Sequence, residues 1–206
     1  MGEGRRDSVQ RLPTGAHGIP SELVSRNQRE RLIAAVAEAC AEHGYAEISV
    51  ADLARRARVS TATFYKLFPN KLECALAAHL ELSERLLDEV DRSCAGTAEP
   101  GARVRAGAAT VLELFAADPP TARLLTVEVL ALGPAGAARN DETIAAFAAR
   151  LRAARDDPGG PSPSPNTEWT VIAGIAMLIG KRILAGSAAD LPALEEELVT
   201  MVMTGS

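Results

Sequence analysis

The stretch Ile48-Ser49-Val50-Ala51-Asp52-Leu53-Ala54-Arg55-Arg56-Ala57-Arg58-Val59-Ser60-Thr61-Ala62-Thr63-Phe64-Tyr65-Lys66-Leu67-Phe68-Pro69-Asn70-Lys71 is punctuated like few others in the chain. Ser49 and Asp52 have the spacing of a capping box, in which hydroxyl and carboxylate satisfy the free amides that open a helix, and this predicts a short helix to about Ala57. Ser60 is placed as the N-cap of a second short helix, Thr61 to Leu67. Phe68 ends it, because a residue before proline is pushed out of the α region. Asn70 with Glu73 then opens a long helix, whose apolar positions Leu72, Leu76, Leu80, Leu86, Leu87 and Val90 carry it to about Ser93. Leu53, Ala54, Val59, Phe64 and Phe68 are the apolar positions left to hold the short helices together.

Two short helices joined by the residues around Arg58 to Ser60 have the length and spacing of a helix-turn-helix. Leu53 to Lys71 also carries Arg55, Arg56, Arg58, Lys66 and Lys71 without an acid. Charge alone favours a solvated helix face; its coincidence with this geometry points to DNA. In such a unit the first helix crosses the phosphate backbone and the N-terminal half of the second enters the major groove. Small polar residues there reach base edges without clashing, and Thr61, Ala62 and Thr63 meet that demand.

Upstream, Ile33, Val36, Ala37 and Cys40 recur on one helical face, predicting a helix over 26–43 that Gly44 stops as a C′ residue. Residues 1–25 mix glycine, proline and arginine without a period and read as a flexible arm. Downstream, no alternating strand pattern or hairpin turn occurs, and helices are expected at about 101–117, 119–132, 140–155, 167–186 and 191–204, with a mobile loop over 155–166. The fold class is all-α with about nine helices: a helix-turn-helix head over 26–71 and a second helical domain over 72–206.

The 206 residues are 47% apolar but only 3% aromatic, so the core is aliphatic. Formal charge divides unevenly, with 11 basic and 9 acidic residues over 1–75 but 11 and 18 over 76–206, so the two parts face different partners. Three scattered cysteines, Cys40, Cys74 and Cys94, fit a reducing cytosol, and no signal peptide or membrane span is expected. A cytoplasmic protein follows. Cys40 and His43 share a helix face, yet two ligands do not make a metal site, and a buried thiol beside a helix-end histidine is the simpler reading. No nucleophile, acid/base pair or phosphate loop forms a recognisable motif, so neither an enzyme nor a cofactor is expected.

The quoted stretch resembles the DNA-binding signature of TetR-type transcriptional repressors: Leu53-Ala54, Val59-Ser60, Thr63-Phe64-Tyr65 and Phe68-Pro69-Asn70-Lys71 fall at fixed spacing after a first helix of the right length. The resemblance implies that Thr61, Ala62 and Thr63 face bases, that Tyr65 and Lys66 contact phosphates or base edges, and that Ser49 and Lys71 bind phosphate at helix starts. Two positions depart from the pattern. Arg58 stands where glycine is common, so either the turn takes another geometry or Arg58 adds a phosphate contact; Leu67 replaces an aromatic or histidine and removes a polar backbone contact.

For the second domain the resemblance implies a ligand pocket, for which Val111, Phe115, Leu125, Phe147 and Trp169 are the candidates. Glu128, alone in an apolar run, is expected either in solvent or as the one acid of that pocket. Ile172, Ile175, Ile179 and Ile183, with Leu194, Leu198 and Met201, are apolar enough to be either core or a four-helix interface. The resemblance favours the interface, giving a homodimer that reads a palindromic operator and is released by a small apolar or amphipathic effector. The rival is a helical ligand-binding or scaffolding protein that keeps the head but no longer reads an operator.

Overall fold

A computed structural model describes residues 21–155 and 165–204. These residues form nine α-helices and no strand: α1 (Ser21–His43), α2 (Val50–Arg56), α3 (Thr61–Leu67), α4 (Lys71–Cys94), α5 (Pro100–Ala117), α6 (Pro119–Thr126), α7 (Pro134–Arg155), α8 (Pro165–Leu184) and α9 (Glu195–Thr204). Two 3-10 turns, Glu128–Leu132 and Ala188–Leu194, lead into α7 and α9. Most of the predicted arm, and the predicted loop from 156 to 164, lie outside the described residues.

The caps act as their chemistry requires. The Ser49 hydroxyl accepts from the Asp52 amide and the Asp52 carboxylate from the Ser49 amide, both at 3.2 Å. The Ser60 hydroxyl accepts from the Thr63 amide at 3.0 Å, and the Asn70 side chain from the Glu73 amide at 2.9 Å. α1 closes with Gly44 at φ 77°, a left-handed position open to glycine at no steric cost.

Several boundaries move. α1 begins at Ser21 rather than 26, where exposed Leu23 and Val24 leave no buried face to give a period. The expected helix over 119–132 breaks at Val127, whose φ of -120° and ψ of -60° leave the helical region before the chain tightens into the 3-10 turn. α7 starts early, because Pro134 after Gly133 is preorganised for a first helical position.

The turn at Arg58 keeps the left-handed geometry despite the missing glycine, with φ at 54°. Val59 N–H bonds to the Ala54 carbonyl at 2.9 Å and Arg58 N–H to the Arg55 carbonyl at 3.1 Å, the two bonds of a Schellman motif. Arginine therefore occupies a position that suits glycine.

The buried apolar residues form a head core, a body core and a smaller cluster of Val104, Leu151, Val199 and Val202. In the head, Leu32, Ile33, Val36 and Cys40 of α1 meet Leu53, Phe64 and Phe68, and the start of α4 adds Cys74, Ala75 and Ala78. The body core joins Leu86 of α4, Leu112 and Phe115 of α5, Leu125 of α6, Ile179 of α8, and Leu191, Leu194 and Leu198. α6 belongs to both: Leu124 is fully buried in the head's core and its neighbour Leu125 in the body's. Burial pushes His79, on α4, down to about 4, so it is neutral near pH 7.

Arg58→Gly is expected to stabilise the protein by about 0.5–1 kcal/mol, since relief of about 1–2 kcal/mol of left-handed strain exceeds glycine's extra unfolded-chain entropy. The midpoint of urea unfolding measures it.

Candidate nucleic-acid interface and ligand cavity

α3 buries Phe64 completely and turns Thr61, Ala62, Tyr65 and Lys66 to solvent, with Tyr65 58% exposed. Thr63 is half-buried, and its hydroxyl lies 2.9 Å from that of Ser60. The Ser49 hydroxyl is 2.6 Å from the Asp52 carboxylate; that hydrogen bond, with one from the Ser49 amide, lowers the Asp52 pKa.

The positive patch contracts once its partners are seen. Arg55 pairs with Asp52 at 2.7 Å, and Arg56 is held by Glu42 through both guanidinium nitrogens. Lys71, expected to bind phosphate, instead donates to the carbonyls of Tyr45, Ala46 and Ile48 at 3.0, 3.4 and 2.9 Å, with its ammonium 4.3 Å from the Tyr45 ring. Three carbonyls match the ammonium's three donors. Arg58 and Lys66 remain exposed with no ion pair among the described residues. The outward face of the head is thus Arg58, Thr61, Ala62, Tyr65 and Lys66.

In the body, a cavity of about 400 Å³ runs along α5 and is walled mainly by apolar side chains of α4, α5, α7 and α8. Val111, Phe115, Leu125 and Phe147 line it as expected. Trp169 does not: it sits on the outer side of α8, 38% exposed. Nor does Glu128, which is buried at the joint between head and body. Its carboxylate accepts from the Tyr45 amide at 2.8 Å and from Arg123 Nε at 2.9 Å, while Arg123 Nη1 donates to the Ala41 carbonyl at 2.9 Å. The break at Val127 turns the chain so that Glu128 reaches the end of α1.

The residues expected at a dimer interface are placed inside their own chain. Ile172, Ile175, Ile179 and Leu198 line the cavity, Leu194 is buried, and Ile183 and Met201 pack on the body core. Gly180 likewise serves an internal approach, its Cβ direction facing Val127 at 3.3 Å. The outward stripe of α8 is Trp169, Gly174, Met177 and Leu184, with Met177 76% exposed and Leu184 60%.

Sequence reasoning missed the polar cavity residues Arg103, Thr126, Asn140 and Thr143, and the Asp91–Arg150 pair. For Arg103 there was a signal: it lies on the stripe of Gly107 and Val111 at i, i+4 and i+8, a lone cation on α5's inward face. Burial pushes the thiols of Cys40 and Cys74 up to about 12, so neither is available as a thiolate. No helix among the described residues is long and apolar enough to cross a membrane.

Fold and head together define a helical DNA-binding regulator with a separate ligand-sized cavity. Residues 32–78 match the family of bacterial regulatory proteins known as tetR. The chain is 30% identical over 203 residues to the HTH-type transcriptional regulator EthR of Mycolicibacterium smegmatis, covering 96% of this chain and 91% of that protein. It belongs to the tetR family and is a transcriptional regulator. Among solved structures it resembles FadR of Bacillus subtilis in complex with stearoyl-CoA, with TM-score 0.75, 17% identity and coverage of 86% of this chain and 98% of the other. FadR of Thermus thermophilus in complex with lauroyl-CoA gives TM-score 0.64 and 22% identity, covering 86% and 94%.

Lys71→Met is expected to destabilise the head by about 1–3 kcal/mol, the range for losing charge-assisted bonds to carbonyls. A thermal melt of the variant at constant pH measures it, and the loss is expected without DNA present.

Proposed function

We propose that this regulator binds a palindromic operator as a homodimer, represses transcription there, and is released when an apolar or amphipathic molecule fills the body cavity. The observation that carries the reading is the double membership of α6: Leu124 lies in the head's core while Leu125 and Thr126 line the cavity. Anything that pushes on the cavity wall at Leu125 therefore moves a helix to which the head is bound. Arg123 and Glu128 extend that link to the backbone of Ala41 and Tyr45, at the end of α1.

On DNA, Thr61 and Ala62, with half-buried Thr63 beside them, read bases, while Tyr65, Lys66 and Arg58 hold phosphates from the same outward side of the head. Ser49 and Lys71 support the interface from within, by capping α2 and by tying the loop after α1 to the start of α4. The dimer forms through the outer stripe of α8, where Trp169, Met177 and Leu184 expose apolar surface around Gly174, with Met203 of α9 exposed as well. A twofold through these helices sets two recognition helices about 34 Å apart, one turn of B-DNA. The cavity's apolar walls and the acyl-CoA complexes of two structural relatives support an acyl-like effector.

Selection of bound sequences from random duplexes by the purified protein, followed by salt titration on the best site, tests this reading. A palindrome whose affinity falls steeply with salt is expected. Tyr65→Ala weakens binding at every sequence, whereas Thr63→Ala alters the selected base, with about 1–3 kcal/mol of discrimination lost. No enrichment by a folded dimer would favour the scaffolding alternative.

A further inference from the structure

The exposed lining of the cavity gathers in one region, and the chemistry there is asymmetric. Of the residues that line it, the exposed ones are Asp91, Ala95 and Ala153, all near the end of α4, the start of α5 and the end of α7. The same region holds two arginines. Arg150 is spoken for: Nε and Nη2 donate to the two Asp91 carboxylate oxygens at 2.8 Å each. Arg103 is not. Its Nε is buried without a hydrogen-bond partner, and its guanidinium makes no ion pair among the described residues. The nearby acid, Glu99, is turned to the amides of Ala102 and Gly101, which lower its pKa and use its oxygens; the Arg103 charge lowers it further, but the two form no ion pair.

A guanidinium at the mouth of an apolar cavity, with a buried unsatisfied Nε and no carboxylate in hydrogen-bond contact, has donors open to an anionic ligand. From Arg103 the cavity follows α5 for twelve residues to Phe115, about 18 Å at the helical rise. That is room for an extended alkyl chain. We infer that the effector carries an anionic head, a carboxylate or a phosphate, which Arg103 binds at the mouth while the apolar tail lies inward along α5 toward Phe115. The inference rests on the cavity being the effector site. It reverses the charge preference that an acid in the cavity would have set, since Glu128 is turned to the joint with the head.

The test compares three probes that share one tail, laurate, dodecanol and lauroyl-CoA, by calorimetric titration of the full-length protein and of Arg103→Gln, Arg103→Lys and Val111→Trp. Arg103 holds no other side chain, so Arg103→Gln is expected to fold normally, which its melting curve checks. The expected result is that laurate or lauroyl-CoA loses about ten- to a hundredfold in affinity in Arg103→Gln, the value of a charge-assisted bond. Dodecanol changes by less than about twofold, and Arg103→Lys recovers part of the loss. Dependence on Arg103 for laurate identifies the head as a carboxylate; dependence for lauroyl-CoA alone identifies it as phosphate. Equal loss for dodecanol and the anions, or no loss for either anion, overturns the assignment to Arg103. Failure of all three probes to bind, or binding insensitive to Val111→Trp, overturns the cavity reading itself.

Discussion

Arg123 and Glu128 hold the end of α1 between them, and the relation of head to body depends on that grip. The last carbonyls of a helix carry partial negative charge, and Arg123 supplies a cation to one of them at Ala41. Glu128 takes the first free amide beyond the turn, at Tyr45, and is itself held by Arg123. Both residues flank the two leucines that divide α6 between the cores. The joint is therefore polar at its rim and apolar at its centre, with Leu124 sealed among the side chains of the head. An interface of this kind has few intermediate arrangements, since closely packed side chains resist gradual deformation.

The cavity has the complementary design. Its walls are mainly apolar side chains, and among the described residues the lining cation without an ion pair, Arg103, lies at the opening, far along α5 from α6. A ligand held at the head by Arg103 is thereby fixed in depth, and the length of its tail decides how hard Leu125 and Phe115 are pressed. In the proposed binding mode, recognition and response reside in different parts of one molecule: the mouth selects charge, and the inner end reads length. His79, buried on α4, is neutral near pH 7.

How much of this was legible in the sequence follows the range of the forces. Ser49, Ser60, Asn70, Gly44 and Pro69 act within a turn of themselves, so the helices of the head were readable from them. The left-handed turn at Arg58 left two readings open, because a side chain there is strained but permitted. Glu128 was unreadable as a clasp, since Tyr45 lies 83 residues away and only tertiary structure brings them together. α8 is apolar on both sides, so its periodicity gave no means of telling the inward isoleucines from the outward Trp169, Met177 and Leu184. Lys71 was read as a surface charge because its acceptors are backbone carbonyls, which leave no mark in a sequence.

The central claim is that α6 carries the effector's presence to the head through the Arg123–Glu128 grip. The most direct measurement is the affinity for the selected operator with and without saturating laurate, in the native protein and in Glu128→Gln. Coupling of about 5–150-fold is predicted for the native protein, the same factor by which operator weakens laurate binding. In Glu128→Gln each ligand should still bind alone, with the coupling reduced toward unity. Undiminished coupling in a variant that has lost the carboxylate's charge would contradict the account.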